Sequence, residues 1–383
     1  MKILWLASWY PSKNDMLTGD FFQRHAKAAS LYFTIDVLHI KRDDAIAIPI
    51  DKNIYQENNL TETIILYKPF IQFIKGLDTF ISAVTWFSLM KKEINNYILE
   101  NGKPNCIHVQ AAWKCGLMAL WCKTKYNIPY LISEQYTGYF DEAKGLVPTY
   151  NKMQHFFLRK IFANAKMVLP VSDYLGKALQ KKYNISYKVL DNVIDTSIFK
   201  PSAIQHGNTI FTLLHVSLLN LQKNPDIIFR ACEILIEKKF SFQLQLVAPK
   251  KIAEKYVQKY PSTKPFILLL PETKQTALAS IMQKADILLF PSAFESFGLV
   301  AYEAIACGTP VIVSDIEVFT NKLLNKPYIH FCKVNNAESL AEAIVKSKNK
   351  RINFPKNEMY KFIDGSFSTK IIGEKMKEIY KLN

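Results

Sequence analysis

The sequence lacks most of the features that mark a secreted, zinc-binding or membrane-spanning protein. Its six cysteines include no CxxC pair and are too sparse for the disulfide framework of a small secreted domain. Its seven histidines show no HxxxH or HExxH spacing, so the common zinc signatures are absent. No apolar run reaches the roughly 20 residues that a transmembrane helix needs. We therefore expect a cytoplasmic protein with reduced cysteines and no metal site.

The N-terminus begins with a short apolar run, Ile3 to Ala7, which could be taken for a signal peptide. Trp9-Tyr10-Pro11 then leads into polar sequence without a small-residue cleavage site. We expect this run to be a buried first strand.

A basic tail and long Lys/Arg blocks are also missing, although the net charge is +16, from 49 Lys+Arg and 33 Asp+Glu. A spread excess of this kind argues against a nucleic-acid reader. It favours attraction to an anionic membrane surface or to phosphorylated ligands. The competing explanation is compositional, because the chain is generally rich in lysine.

What the sequence does contain is a repeated alternation of short apolar runs with longer amphipathic stretches, which is typical of βα units. With 383 residues, the chain fits two α/β domains, each with a doubly wound parallel sheet. We expect an N-terminal domain over residues 1–200 and a C-terminal domain over 201–383, joined at a polar stretch over 199–208. A closing helix over about 368–383 is expected to pack back on the N-terminal domain. The expected strands are Lys2–Ala7, Thr34–His39, Thr63–Tyr67, Cys106–Val109, Tyr130–Ser133, Met167–Val171, Phe211–Val216, Gln243–Val247, Phe266–Leu270, Ile287–Phe290 and Val311–Ser314.

One stretch of the first half, residues 67–98, is unusually apolar and aromatic and has lysines interspersed. Two interpretations fit it. It is either a helix pair that packs on the sheet, or an amphipathic surface that lies on a bilayer.

The most informative stretch is residues 285–315, which predicts a strand, a loop, a helix and a second strand. The first strand, Ile287–Phe290, is expected to stop at Pro291, and Ser296 to cap a helix that runs to about Cys307. Gly308 then supplies a left-handed C-terminal residue.

This pattern predicts an anion-binding loop at the carboxyl end of a parallel strand. The backbone amides of Phe297, Gly298 and Leu299 begin a helix, where a phosphate binds well. Glu295 and Glu303 lie on either side of this anion site. A nucleoside diphosphate sugar has a matching shape, because its diphosphate is flanked by two hydroxyl-rich groups.

Glu295-x7-Glu303, within Phe-x-Glu-x-Phe-Gly-Leu and followed by Gly-Thr-Pro-Val-Ile, resembles the retaining glycosyltransferases of family 4, also called glycosyl transferases group 1. The resemblance implies the GT-B fold, in which two Rossmann-like domains face each other across a cleft. It assigns Glu303 to the donor ribose and Glu295 to the donor sugar. The amides of Phe297, Gly298 and Leu299, together with Ser296, would hold the diphosphate.

The resemblance extends to other segments. Lys223-Asn224 is similar to a Lys-Gly pair whose lysine grips the donor diphosphate, and Gly19 matches a glycine near the donor phosphates or the acceptor. Asp191-Asn192-Val193 begins an element similar to the interdomain hinge. The acceptor side is implied to include Arg24, Glu134 and Tyr139, and Gln135 is implied to lie near the reaction centre.

The sequence also departs from the family pattern. Leu218 stands where the family usually has an arginine, and Gln135 stands where it usually has a histidine. Glutamine can hydrogen-bond a sugar hydroxyl but cannot shuttle a proton. The usual Gly-x-Gly after the second strand of the C-terminal domain is missing at residues 247–250.

We therefore predict a hexosyltransferase that uses a UDP- or GDP-sugar as its substrate and needs no further cofactor. With no Asp-x-Asp in the sequence, we expect no essential metal. The acceptor is expected to be a glycan or a lipid-linked precursor at the inner face of the plasma membrane, with no nucleic-acid partner. Two alternatives are a non-catalytic nucleotide-sugar-binding subunit and a GT-B epimerase or hydrolase.

Overall fold

The computed structural model describes residues 1–69, 77–203, 209–349 and 354–382. The chain divides into two compact units. The first comprises Met1–Tyr136, Tyr150–Val193 and Thr369–Asn383, and the second comprises Thr137–Thr149 and Ile194–Ser368. The expected single boundary at residue 200 thus differs from the observed division, since the chain passes between the units more than once. Of the expected boundary stretch, residues 204–208 lie outside the described ranges.

The first unit is built on a seven-stranded sheet with the order β3-β4-β2-β1-β5-β6-β7. Its neighbouring strands are parallel, except that β3 pairs with β4 in the antiparallel sense. The strands are β1 (Lys2–Ala7), β2 (Thr34–Arg42), β3 (Ile50–Glu57), β4 (Leu60–Tyr67), β5 (Cys106–Gln110), β6 (Tyr130–Glu134) and β7 (Met167–Pro170).

The helices of the first unit cover this sheet with apolar faces. Trp86, Met90 and Ile94 recur every four residues along α2 and are buried, as an amphipathic helix requires. Asn151 begins α4 with a capping box, because its side chain and that of Gln154 each accept the other's backbone amide. The helices are α1 (Asp20–Ser30), α2 (Leu77–Asn101), α3 (Cys115–Tyr126), α4 (Lys152–Asn164), α5 (Asp173–Tyr183) and the C-terminal α13 (Thr369–Lys381).

The second unit is built on a six-stranded parallel sheet with the order β10-β9-β8-β11-β12-β13. Strands β8, β11 and β12 are buried along their whole length, so their sequences are almost continuously apolar. The strands are β8 (Phe211–Val216), β9 (Phe242–Val247), β10 (Ile267–Leu270), β11 (Ile287–Phe290), β12 (Val311–Ser314) and β13 (Ile329–Cys332). The helices are α6 (Pro225–Glu237), α7 (Lys250–Lys259), α8 (Gln275–Lys284), α9 (Leu299–Ala306), α10 (Glu317–Leu323), α11 (Ala337–Asn349) and α12 (Lys356–Phe367).

The prediction of two doubly wound α/β sheets is confirmed. Each expected strand is present, and its ends lie within about three residues of the expected ones. Two strands were missed. The edge strand β3 is mostly exposed and polar, so it lacks the apolar run that identifies a buried strand. Strand β13 has four residues, too few to show a period.

The stretch over residues 67–98 forms the end of β4 and most of α2, and residues 70–76 of it lie outside the described ranges. Within those ranges no helix is long and apolar enough to cross a membrane. All six cysteines are buried and unpaired, and burial raises the pKa of Cys115 and Cys122 to about 12. Thiols in this state are unreactive.

The expected closing helix corresponds to α13, which belongs to the first unit and packs on α1. A Cβ at Gly373 would lie 2.6 Å from the backbone oxygen of Ala28, so only glycine allows the two helices to approach this closely. The Tyr380 hydroxyl and His108 Nδ1 are 2.6 Å apart, which ties the end of α13 to β5.

We predict that Gly373→Ala destabilises the protein by about 1–3 kcal/mol, because the added methyl group overpacks against backbone. Gly365→Ala in α12 is the matched control, since a Cβ there meets nothing within 4 Å. The control should stabilise the protein by up to about 1 kcal/mol, as alanine does in a helix. Thermal unfolding of both variants checks the prediction, which is contradicted if Gly373→Ala raises the midpoint.

Candidate active site

In both sheets the strand order reverses at one point, which is where open α/β sheets bind ligands. In the first sheet the reversal lies between β1 and β5, and in the second it lies between β8 and β11. Loops that leave the carboxyl ends of two such strands run to opposite faces and leave a crevice between them. Of the candidate site residues, Gly19 follows β1, Lys223 follows β8 and Glu295 follows β11.

The loop after β11 ends at Gly298, which has φ 87° and directly precedes α9. A left-handed residue is not part of the helix, so α9 starts at Leu299 and the prediction that Ser296 caps it is wrong. Gly308 has φ 79° just after the helix, as predicted. Within the described residues, the amides of Phe297, Gly298 and Leu299 donate no hydrogen bond. They form an open helix N-terminus, which suits an anion.

Aromatic rings fix the position of Gly298. A Cβ there would lie 2.6 Å from the ring of Phe319, so the site accepts no side chain. Phe297 stacks on Tyr302 with 4.5 Å between the ring centroids, and Phe367 meets the Phe297 ring edge-on at 5.7 Å. The start of the helix is therefore held by buried packing.

Lys223 and Glu295 come together at the switch point of the second sheet. Lys223 follows β8, Glu295 follows β11, and the Lys223 ammonium forms an ion pair with the Glu295 carboxylate. The ammonium also lies 4.8 Å from the centroid of the Phe290 ring. Glu295 is buried, and an unpaired carboxylate there would be costly. Without ligand, Lys223 compensates this charge.

Two residues that the sequence analysis did not assign connect these loops. The side-chain amide of Gln222 donates to the Phe294 carbonyl at 3.0 Å. The backbone carbonyl of Gln222 accepts a hydrogen bond from the backbone amide of Ala293 at 2.8 Å. Asn224, with φ 52°, donates to the Pro291 carbonyl at 3.0 Å. The available sequence signal is Asn224 directly before Pro225, because asparagine tolerates the left-handed conformation and proline is favoured at the first helical position.

Glu303 lies in the middle of α9, and its side chain is buried. Two serine hydroxyls at the same edge of the sheet were missed by the sequence analysis. Ser292 follows β11 and Ser314 ends β12, and both hydroxyls are buried without a partner in the described part of the chain. Buried hydroxyls of this kind require a water or a ligand to satisfy them.

His215, near the end of β8, does not supply a proton shuttle at neutral pH. Burial is the largest cause that lowers its pKa, to about 4. Its Nδ1 lies 2.8 Å from the Leu289 carbonyl, which can only accept, so Nδ1 carries the proton. The Ser217 hydroxyl, 2.7 Å from Nε2, donates to the ring.

In the first unit, Gly19 begins α1 with φ 77°. A Cβ there would lie 2.5 Å from the carbonyl carbon of Trp9, so this position also requires glycine. The preceding loop is fixed by Glu62, which accepts hydrogen bonds from the Tyr10 hydroxyl at 2.5 Å and from Gln23 at 2.8 Å.

Arg24 and Gln135 both contact the last residues of the first unit before the chain enters the second at Ile194. Arg24 pairs with Asp20 at 2.7 Å and also donates to the Val193 carbonyl at 3.5 Å. Gln135 and Asn192 exchange hydrogen bonds through both of their amide groups, at 2.7 and 3.0 Å. For Gln135 to reach a sugar, it would have to release Asn192.

Glu134 is fully buried, and its carboxylate accepts the backbone amides of Ala112, Gln135 and Tyr136 at 2.9–3.0 Å. These bonds shape the turn after β6. Tyr139 lies in the segment Thr137–Thr149, which belongs to the second unit. The neighbouring Phe140 packs on Phe294 with 6.2 Å between the ring centroids. This packing explains why the segment leaves the first unit.

Gln110, at the end of β5, is a further candidate that the sequence analysis missed. It lies at the switch point of the first sheet and is 0% exposed. Neither its amide nitrogen nor its amide oxygen has a hydrogen-bond partner in the described part of the chain. A polar residue that ends an otherwise apolar strand was the available signal.

Comparison with known proteins supports the family suggested by the motifs. A family model described as Glycosyl transferases group 1 matches residues 197–361, and one described as Glycosyltransferase Family 4 matches residues 60–198. The O-antigen chain mannosyltransferase RfbU of Salmonella typhimurium is 28% identical over 249 residues, which are 62% of this chain and 69% of that protein.

Solved structures show the same fold. Sucrose-phosphate synthase of Thermosynechococcus elongatus superimposes with a TM-score of 0.77 at 17% identity, over 100% of this chain and 99% of that chain. HepE of Anabaena, solved in complex with UDP, superimposes with a TM-score of 0.71 at 14% identity over 100% of both chains.

The two sheets and their switch points have the arrangement of the GT-B fold, which the glycosyltransferases among these solved structures share. The chain belongs to family 4 of the glycosyltransferases, the glycosyl transferases group 1.

We predict that Gly298→Ala destabilises the protein more than Gly102→Ala. Both glycines have positive φ, 87° and 76°, so alanine costs roughly 1–2 kcal/mol of backbone strain at each position. Only at Gly298 does the Cβ also collide with a buried ring, since nothing lies within 4 Å of it at Gly102. Thermal unfolding measures the difference, and equal midpoints would contradict the prediction.

We also predict that Gln135 and Asn192 are energetically coupled. Either Gln135→Ala or Asn192→Ala leaves one buried amide unsatisfied, at a cost of about 1–3 kcal/mol. The double variant should lose less than the sum, with a coupling between about 0.5 and 3 kcal/mol. Urea unfolding of all four proteins tests this. Additive losses would show that the pair is not coupled and that Gln135 is available to a ligand.

Proposed function

We propose that this glycosyltransferase moves a sugar, with retention of the anomeric configuration, from a nucleoside diphosphate sugar to a hydroxyl of a lipid-linked or cell-surface glycan precursor. The observation that carries the proposal is the meeting of Lys223 and Glu295 at the switch point of the second sheet, with an open helix N-terminus directly after Glu295.

The donor would bind by replacing the internal ion pair. The diphosphate attracts the Lys223 ammonium and the amides of Phe297, Gly298 and Leu299. Glu295, released from Lys223, then accepts hydrogen bonds from the donor sugar's hydroxyls. Glu303 accepts those of the ribose. Each buried charge exchanges one partner for another, so none is left uncompensated.

In the reaction, the acceptor oxygen forms a bond to the anomeric carbon, and the bond from that carbon to the diphosphate oxygen breaks. The acceptor's proton passes to the departing phosphate on the same face, and the nucleoside diphosphate leaves. Lys223 and the helix amides stabilise the charge that develops on the leaving group. We propose that no metal is needed, because these groups supply the positive charge themselves.

The acceptor class is supported by RfbU, whose name assigns it to O-antigen chains. The nucleotide is supported by HepE, which was solved with UDP. On this basis a UDP-sugar is the first donor to test and a GDP-sugar the second. A glycan precursor of this kind is assembled on a lipid, so we propose that the enzyme works at the inner face of the plasma membrane.

On the acceptor side we keep Gly19, Arg24, Glu134, Gln135 and Tyr139 and add Gln110. The polar groups of Arg24, Glu134 and Gln135 bond within their own unit, so we propose that they shape the acceptor surface. The side chain of Gln110 has no hydrogen-bond partner among the residues that the structure describes.

One observation favours the non-catalytic subunit as a second candidate. Leu218, which stands where a second phosphate-binding cation was expected, is 57% exposed after β8. If Lys223 alone holds the diphosphate too weakly, the protein would depend on a partner transferase. An epimerase or hydrolase, in contrast, would consume the donor with no acceptor present.

The donor site is tested by thermal unfolding with UDP, GDP and their sugar conjugates, for the wild type, Glu303→Ala and Glu272→Ala. Glu272 is an exposed glutamate of the same unit and serves as the matched control. A ligand at a hundred times its Kd should stabilise the wild type and the control by about 2.7 kcal/mol. The shift should vanish in Glu303→Ala.

If no nucleotide shifts the wild-type midpoint, or if Glu303→Ala shifts like the wild type, the proposed donor site is wrong. Hydrolysis of the bound donor without acceptor would favour the hydrolase alternative.

A further inference from the structure

Helix α4 presents an unusual outer face. Its inner side is buried through Leu158, Ile161 and Phe162, and it packs against α3 and α5. On the outer side, Met153 is 62% exposed and Phe156 is 54% exposed. The two side chains are three residues apart and therefore lie on the same face of the helix. The feature is thus a small apolar ridge that points into solvent.

The ridge is surrounded by positive charge. Lys152, Arg159 and Lys160 are exposed on the same side of α4, and the Lys160 ammonium lies 4.5 Å from the centroid of the Phe156 ring. None of these three cations forms a salt bridge with a residue in the described ranges. The sequence contains no Asp or Glu between Glu142 and Asp173. No acidic residue of α4 itself therefore offsets the charge of these three cations.

Helix α2, which the sequence suggested as a membrane contact, differs in this respect. It exposes Phe80, but it also carries Asp78, Glu93 and Glu100. Two of these acids face cations of the sheet, because Arg42 pairs with Asp78 and Lys52 pairs with Glu93. Helix α2 therefore carries acids beside its exposed lysines, whereas α4 carries no acid.

We propose that the outer face of α4, formed by Lys152, Met153, Phe156, Arg159 and Lys160, docks on an anionic lipid bilayer. The apolar ridge enters the boundary between headgroups and acyl chains, and the three cations bind the lipid phosphates. Docking there would bring the enzyme to a membrane that holds the lipid-linked acceptor, and in this respect it rests on the proposed function. It does not depend on which donor the enzyme uses.

A second copy of this chain fits the surface poorly. A symmetric dimer would place the same cations opposite one another, which is repulsive. Two exposed side chains also supply roughly 300 Å² of apolar surface, whereas a stable interface buries about 800 Å² on each partner. A bilayer needs neither self-complementarity nor a large rigid area.

The test is cosedimentation of the full chain with phosphatidylglycerol–phosphatidylcholine vesicles and with pure phosphatidylcholine vesicles, without donor or acceptor. Binding is expected only to the anionic vesicles and should fall with added salt. Replacing Lys152, Arg159 and Lys160 by glutamine should weaken it about fivefold for each charge removed. Phe156→Ser should weaken it about tenfold. Phe80→Ser, at a phenylalanine of α2 that is 67% exposed, is the matched control and should bind like the wild type.

Thermal unfolding with and without UDP shows whether each variant is folded and keeps its nucleotide response, so failure of the docking surface is distinguishable from failure of the donor site. The proposal is overturned if anionic vesicles do not bind the protein, or if Phe80→Ser weakens binding while Phe156→Ser does not. It is also overturned if light scattering shows a dimer that Phe156→Ser converts to a monomer, because the surface would then be a contact between copies.

Discussion

The candidate donor site depends on the hydrogen bonds that join the connection after β8 to the loop after β11. Gln222 binds this loop through its side-chain amide and its backbone carbonyl. The side-chain amide of Asn224 donates to the Pro291 carbonyl of the same loop. A parallel sheet aligns strands but leaves the loops beyond their ends free to diverge. These bonds remove that freedom, so Lys223 and Glu295 face each other and the helix N-terminus opens beside them. A reactive arrangement on loops requires this kind of rigid support.

The same site shows how buried charge is tolerated before a ligand arrives. Glu295 is buried, and a buried carboxylate that loses its partner is costly, so Glu295 depends on Lys223 in the ligand-free state. Their mutual pairing makes the ligand-free unit stable and lets a diphosphate and a sugar compete for the two charges. In the first unit, Glu134 solves the problem differently, since three backbone amides occupy its carboxylate. Only the Lys223–Glu295 ion pair can be exchanged for contacts with a substrate.

Much of the fold and part of the site could be predicted from the sequence. The apolar runs located the buried strands because a parallel sheet hides both faces, and Gly308 marked the end of α9 by its need for positive φ. Ser296 was misplaced as a helix cap because a left-handed Gly298 can delay a helix without leaving a distinct sequence pattern. Gln222 was missed because its hydrogen-bond partners lie far away in the chain. Ser292 and Gln110 were missed because burial at the end of a strand is a property of the folded sheet.

The distribution of charge also shows what the sequence alone could not predict. A net charge of +16 spread along the sequence indicates attraction to anions but gives it no position. Folding decides where it acts, because Asp78 and Glu93 neutralise cations beside α2, whereas nothing acidic lies near α4 in the sequence. An apolar residue such as Phe80 is therefore weak evidence for a membrane surface, and Phe156 is stronger evidence, although the two are similarly exposed. The difference arises from the acidic residues that α2 carries and α4 lacks, and not from hydrophobicity.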